Sequence, residues 1–97
     1  MHVISYQTIK QFIRKHSESK AGLSTWYKVA SKAAWQNLAE VKSVYPHADL
    51  YECCTIFNIS GNKYRLVVKI DYAAQVIFIK HIMTHAEYDK DKWKKDC

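Results

Sequence analysis

Glycine and proline are scarce, with two Gly and one Pro among 97 residues, which argues against a low-complexity or loop-dominated chain. Long apolar runs are missing as well. No stretch could cross a bilayer, and the opening Met-His-Val-Ile-Ser lacks a charged region followed by an apolar one, so neither a membrane anchor nor a signal peptide is expected. Cysteine is rare and irregularly placed. Cys53 and Cys54 are adjacent, a spacing that strains a bond between them, and Cys97 stands alone near the other end. An odd count without regular spacing excludes a disulfide framework, and the absence of Cys-x-x-Cys excludes a zinc site, so reduced thiols in a cytoplasmic protein are expected. Acids are outnumbered, nine against fifteen Lys and Arg, giving a net charge of +6 that suits a polyanionic partner such as nucleic acid.

What is present is core material. Hydrophobic residues make up 48% of the chain and aromatics 13%, enough for one modest domain over residues 1–97, of which about 90–97 reads as a charged tail. His2 to Ile4 is a plausible first strand. Ser5 can cap a helix in which Ile9, Phe12, Ile13 and His16 share one face. A second helix is expected over about Ser19 to Lys32, striped by Leu23, Trp26, Tyr27 and Ala30, with Gly22 a weakening residue inside it. A short third helix starts at Asn37, which stands at capping-box spacing from Glu40. It buries Leu38, Val41 and Val44, and stops before Pro46.

The period then changes to that of strands. Thr55 to Ile59, Lys63 to Tyr72, and Gln75 to about Met83 read as an antiparallel meander, with a tight turn at Gly61-Asn62 and another around Ala73-Ala74. Thr84 and Glu87 have capping-box spacing for a last helical turn. The class is therefore α+β, with N-terminal helices packed on a small antiparallel sheet. Pairing Ser60 with Lys63 sets Asn58 opposite Arg65. Pairing Tyr72 with Gln75 puts Leu66, Val68, Ile70, Ile77, Ile79, His81 and Met83 on the face that receives the helices. The other face then collects Asn58, Arg65, Val67, Lys69, Phe78, Lys80 and Ile82, and a one-residue slip would exchange Lys80 with His81.

The densest chemistry lies from Lys80 to Lys90, with two histidines, a tyrosine, acids and lysines directly after the last strand. RNA cleavage needs a base for the ribose 2′-hydroxyl, an acid for the leaving 5′-oxygen, and cations for the pentacovalent phosphate. Histidine can serve either proton role. Tyrosine can donate if nearby cations lower its pKa, and arginine's fork grips phosphate. This scheme requires no metal or other cofactor. Each residue also has a structural reading: His81 as a core histidine, His85 as a solvated helix start, Tyr88 as a packing anchor, and Arg65 and Lys69 as a solvated sheet face.

Thr55-Ile56-Phe57-Asn58-Ile59-Ser60-Gly61-Asn62-Lys63-Tyr64-Arg65-Leu66, then Ile70-Asp71-Tyr72, then Ile79 through Lys90 with its Thr84-His85-Ala86-Glu87-Tyr88-Asp89, resemble the signature of HigB-type toxins. Met1 to Ser5 and the stretches Trp35-Gln36-Asn37 and Tyr45 to Asp49 fit the same family, so the similarity covers nearly the whole chain. The resemblance implies a RelE-like toxin fold and the toxin of a type II toxin–antitoxin system, a ribosome-associated endoribonuclease that cuts mRNA and inhibits translation. It implies a helix-turn-helix antitoxin of the HigA type, with operator DNA bound only through that complex. By motif, Arg65 matches the phosphate-stabilising residue, and His85 and Tyr88 the acid and base. Asn62, Lys63, Lys69, Lys80, Lys90 and Trp93 match RNA contacts, with His81 a further candidate. Two places depart from the pattern: Asp91 stands where glycine is expected, and Tyr51 to Cys54 carries no motif. A non-catalytic basic module that binds RNA or the ribosome is the alternative that the residues alone leave open.

Overall fold

The computed structural model describes all 97 residues, in the order β1 (His2–Ile4), α1 (Tyr6–Lys15), α2 (Lys20–Lys32), α3 (Leu38–Val44), β2 (Asp49–Tyr51), β3 (Cys54–Ile59), β4 (Tyr64–Asp71), β5 (Val76–Thr84), α4 (His85–Asp89) and a 3₁₀ helix (Lys92–Asp96). This is the expected α+β arrangement, helices first and a hairpin meander after. The five strands lie in the order β1-β5-β4-β3-β2. Two edges were not legible as such. β1 joins β5 in parallel, making the sheet mixed, and β2 forms from residues with no motif, pairing with β3 at Asp49↔Ile56.

Side-chain caps start α3 and α4 but not α1 or α2. The Asn37 side chain accepts from the Glu40 amide at 3.0 Å while Glu40 reaches back to the Gln36 amide at 2.8 Å, so α3 starts on reciprocal caps. Ser5 does not cap α1 through its side chain. Its backbone is left-handed (φ 77°), and only its carbonyl takes the Thr8 amide, at 2.9 Å. Val44, expected inside, is 50% exposed, because α3 has only two turns and buries Val41 alone. Gly22 proves to be a packing residue. A Cβ there would lie 2.8 Å from Ser60 Oγ and 2.9 Å from Ile59 Cγ2, so α2 sits this close to β3 only without a side chain.

Between helices and sheet lies the main core, which includes Ile9, Leu23, Trp26, Phe57, Leu66, Val68 and Ile77. The opposite sheet face is covered too. Cys54, Ile56, Val67 and Met83 form a second, smaller core with Trp93 of the 3₁₀ helix. The residues read as a charged tail thus turn their lysines outward and their indole inward. Asp91, at the position where glycine is expected, has φ 61°. This left-handed turn explains the glycine preference, and Asp is among the few other residues that tolerate it.

The β3–β4 register is the expected one, with Asn58 opposite Arg65 and Ile59 opposite Tyr64. The β4–β5 register holds from Asp71↔Val76 to Val68↔Ile79, then shifts, so that Val67 faces His81 and Arg65 faces Met83. Lys80 is the extra residue of a β-bulge, and beyond it side chains exchange faces. His81 and Met83, expected against the helices, lie on the second face; Ile82, expected on the cationic face, packs against the main core.

The thiols also depart from expectation. Cys54 and Cys97 are bridged, while Cys53 is free and exposed, its Sγ donating to the Cys97 carbonyl at 3.1 Å. A separation of 43 residues carries no spacing signal; the pair meets because Cys54 faces the second core and the 3₁₀ helix returns to it.

Two measurements follow from this packing. Gly22→Ala should destabilise the fold by about 1–3 kcal/mol in chemical denaturation, since overpacking against β3 outweighs the roughly 1 kcal/mol gain in helix propensity. Closing a 43-residue loop is worth up to about 4 kcal/mol in the chain-entropy account, so Cys97→Ser should lower Tm, and dithiothreitol should lower the wild type to the same level. An equal Tm with and without reductant would show that the bridge does not hold the tail.

Candidate active site

β4 begins where β5 ends, with Tyr64 opposite Thr84, and this pairing sets Asn62–Arg65 beside His85–Tyr88. The start of α4 is fixed by reciprocal capping. Thr84 Oγ1 accepts from the Glu87 amide at 3.2 Å, and Glu87 Oε1 accepts from the Thr84 amide at 3.0 Å. That backbone hydrogen bond from Thr84 is the main reason the Glu87 carboxyl is held below its usual range. The His85 amide donates to the Lys63 carbonyl at 3.1 Å, locking the helix start to the β3–β4 turn. The His85 ring stays exposed, with Nδ1 3.0 Å from Asp89 Oδ2 one turn on.

Arg65 is only 8% exposed. Its Nη1 donates to the carbonyls of Asn62 at 3.1 Å and Tyr64 at 3.2 Å, and its guanidinium lies 5.3 Å from the centre of the Tyr88 ring. Tyr88 in turn stacks on Trp93, with centroids 5.0 Å apart and planes within 11°, and the Trp93 indole N–H donates to the Tyr88 carbonyl at 3.0 Å. Cation, phenol and indole therefore form one layered stack, each member held by backbone bonds or by burial. The two Nη1 bonds tether one arm of the fork, and Nε and Nη2 make no hydrogen bond within the chain.

The stack sets the protonation of Tyr88 against the sequence-based expectation. Burial raises its pKa, and the nearby Asp49 adds to this; Arg65 and Lys94 pull the other way without prevailing. Tyr88 is thus a proton holder.

Of the other candidates, Asn62 adjoins the stack through its carbonyl, and Lys63 is exposed in the same turn. Lys69 is exposed on β4 opposite Phe78, four residues and so about 13 Å along the strand from Arg65, and is not brought to the stack. Lys80 is exposed at the bulge. Lys90 lines a hollow of about 360 Å³ together with His81, Glu87, Lys92, Trp93 and Lys95. His81, swung onto this side by the bulge, has Nε2 2.7 Å from Asp96 Oδ2. Two carboxylates not singled out in the sequence, Asp89 and Asp96, thereby become histidine partners. The four-residue spacing of His85 and Asp89 on one helix face was a usable signal; nothing local announces Asp96. No group of three or more His, Cys, Asp or Glu converges as a metal donor set.

A pH dependence follows for Tyr88. Its raised folded pKa favours the neutral phenol, so this stabilising contribution is complete below the ordinary tyrosine pKa of about 10 and is lost as pH climbs through the folded value. Alkaline unfolding followed by tryptophan fluorescence should therefore be steep in the wild type and shallower in Tyr88→Phe. Identical profiles would contradict the burial of the phenol.

Comparison with known proteins identifies the family of the chain. Residues 19–91 match the family model described as HigB_toxin, RelE-like toxic component of a toxin-antitoxin system. The mRNA interferase HigB of Escherichia coli O6:H1 (strain CFT073) is 28% identical over 93 residues, spanning 93% of this chain and 90% of that protein. The mRNA interferase toxin HigB of Escherichia coli K12 and the mRNA interferase HigB of Shigella flexneri are each 28% identical over 92 residues, covering 92% of this chain and 88% of theirs. The matched span takes in α2, α3, all the sheet except β1, and α4 with Tyr88, and the chain belongs to the HigB toxin family, the RelE-like toxic components of toxin–antitoxin systems.

Proposed function

We propose that the chain is an endoribonuclease that cuts mRNA and thereby inhibits translation, with the reaction run by residues of the chain itself. The observation that carries this reading is the Arg65–Tyr88–Trp93 stack beside the His85–Asp89 pair, a fixed cation, a neutral phenol and an imidazole at one end of the inner strands β4 and β5. The names of the Escherichia coli and Shigella relatives support the same activity.

In this mechanism the ribose 2′-hydroxyl attacks the adjacent phosphorus and the bond to the 5′-oxygen breaks. The products are a 2′,3′-cyclic phosphate and a 5′-hydroxyl. His85, oriented by Asp89, takes the 2′-hydroxyl proton. Tyr88, a phenol that is neutral at physiological pH with or without burial, gives its proton to the strongly basic leaving oxygen. Arg65 meets the charge that grows on the phosphorane oxygens, where a preoriented fork acts without reorganising. Asn62 and Lys63 flank the reacting phosphate. Lys90 and, further off, Lys69 and Lys80 guide the RNA, with His81 held by Asp96 at the margin. Trp93, expected as an RNA contact, is buried under the sheet and acts only by carrying Tyr88.

The working setting is the ribosome in the cytoplasm, where mRNA is presented; no helix of the chain is long and apolar enough to cross a membrane. The antitoxin that the family implies is here of the HigA helix-turn-helix type, and it carries the pair onto operator DNA.

Expression without antitoxin should arrest growth, and primer extension on cellular mRNA should show new 5′ ends. Arg65→Ala or His85→Ala should relieve the arrest, each lowering cleavage by about 10²-fold or more, in line with the loss of a positioned electrostatic or acid–base group. Intact transcripts under toxic expression, with RNA association that weakens steeply as salt rises, would point to a non-catalytic binding module.

A further inference from the structure

A second hollow lies beside the β3–β4 hairpin, and its chemistry differs from the lysine-lined one. It measures about 330 Å³ and is bounded by the α3–β2 loop, through Tyr45, His47 and Ala48, and by the β3–β4 hairpin, through Asn58, Gly61 and Asn62. None of its lining residues is Lys, Arg, Asp or Glu. A neutral lining offers no counter-charge to a phosphate, yet it is far from apolar. The Asn58 and Asn62 carboxamides make no side-chain hydrogen bond within the chain, so each has a donor and an acceptor to spare. His47 is exposed, and Tyr45 is braced edge-on against Phe57 at 5.3 Å.

Position adds to composition. Asn58 stands directly across the β3–β4 ladder from Arg65, and the Asn62 carbonyl is one of the two that fix the Arg65 fork. A nucleotide whose phosphate meets Arg65 has its base within reach of this hollow. The volume is at the small end for a ligand site, which suits one planar heterocycle better than a larger ligand. Unstacked RNA bases are commonly bound in this way, with carboxamides on their edges and an aromatic or imidazole ring on their face.

We infer that the hollow between Tyr45–Ala48 and the β3–β4 hairpin is a nucleobase subsite in which Asn58 and Asn62 read the base edge and His47 covers its face, so that these residues set where the RNA is cut. The inference rests on the ribonuclease reading above and deepens it. Arg65, His85 and Tyr88 act on the phosphodiester that every nucleotide shares, whereas Asn58 and Asn62 distinguish one base from another.

The test is to map RNA 5′ ends produced by the wild type, Asn58→Ala, Asn58→Asp and His47→Ala, with thermal melting of each variant alongside. The wild type should enrich one base at a fixed position next to the cut. Asn58→Ala should flatten that enrichment and slow cutting by about tenfold at preferred sites, as expected for loss of a bidentate base contact. Asn58→Asp, equal in size but without the amide donors, should shift the preferred base. His47→Ala should slow cutting at all sites. Unchanged base enrichment in both Asn58 variants, with cleavage retained, overturns the subsite and leaves the ribonuclease reading standing. A wild type that leaves RNA intact overturns the ribonuclease reading and the subsite with it. An Arg65→Ala that cuts normally removes the phosphate anchor from which the subsite is placed and overturns the subsite alone.

Discussion

Trp93 closes the second face of the sheet, and the geometry around Arg65 depends on that closure. β3, β4 and β5 carry apolar side chains on both faces, because Cys54, Ile56, Val67 and Met83 point away from the helices. A sheet with two apolar faces needs two covers. The helices supply one, and a 3₁₀ helix of five residues, bridged to β3 through Cys97, supplies the other. Seating the indole there gives Tyr88 a flat surface to stack on, and Tyr88 then lies against Arg65. Burial on this side also raises the phenol's pKa more than the adjacent cations can lower it. Packing, stacking and protonation on this side thus have one origin.

Most of the architecture was legible in the sequence because it is written locally. The helical stripe of Leu23, Trp26 and Ala30, the Asn37 and Thr84 caps, and the hairpin at Gly61-Asn62 are set by neighbours within a few residues, and the structure has each of them. What was not legible depends on distant contacts. β1 is too short to declare whether it pairs parallel or antiparallel. β2 exists because β3 offers it an edge. The Cys54–Cys97 bridge joins residues whose proximity is created by the fold alone.

The candidate site divides in the same way. Arg65, His85 and Tyr88 stand out by type and motif, and the structure shows what holds each of them. Their partners stand out less. Asp96 meets His81 only because the chain turns back at Asp91, and the Asn58 side chain reads as an ordinary strand polar residue until the α3–β2 loop is set beside it. The side of the sheet on which His81 lies hinged on a single residue. Alternation predicts the helix side, and alternation is right up to Ile79; no residue type near Lys80 announces that the ladder slips there.

That slip ties the second face of the sheet to the pairing of one residue. Most strand positions matter by what they pair with, whereas Lys80 matters by standing outside the ladder. Deleting it would leave Ile79 opposite Val68 and His81 opposite Val67 in an unbroken ladder, with His81, Ile82 and Met83 on the faces they now hold. Pairing Lys80 with Val67 instead would turn His81 and Met83 into the helix layer and take from Trp93 one of the side chains it rests on. The two-sided sheet therefore survives the loss of position 80 but not its capture into the ladder.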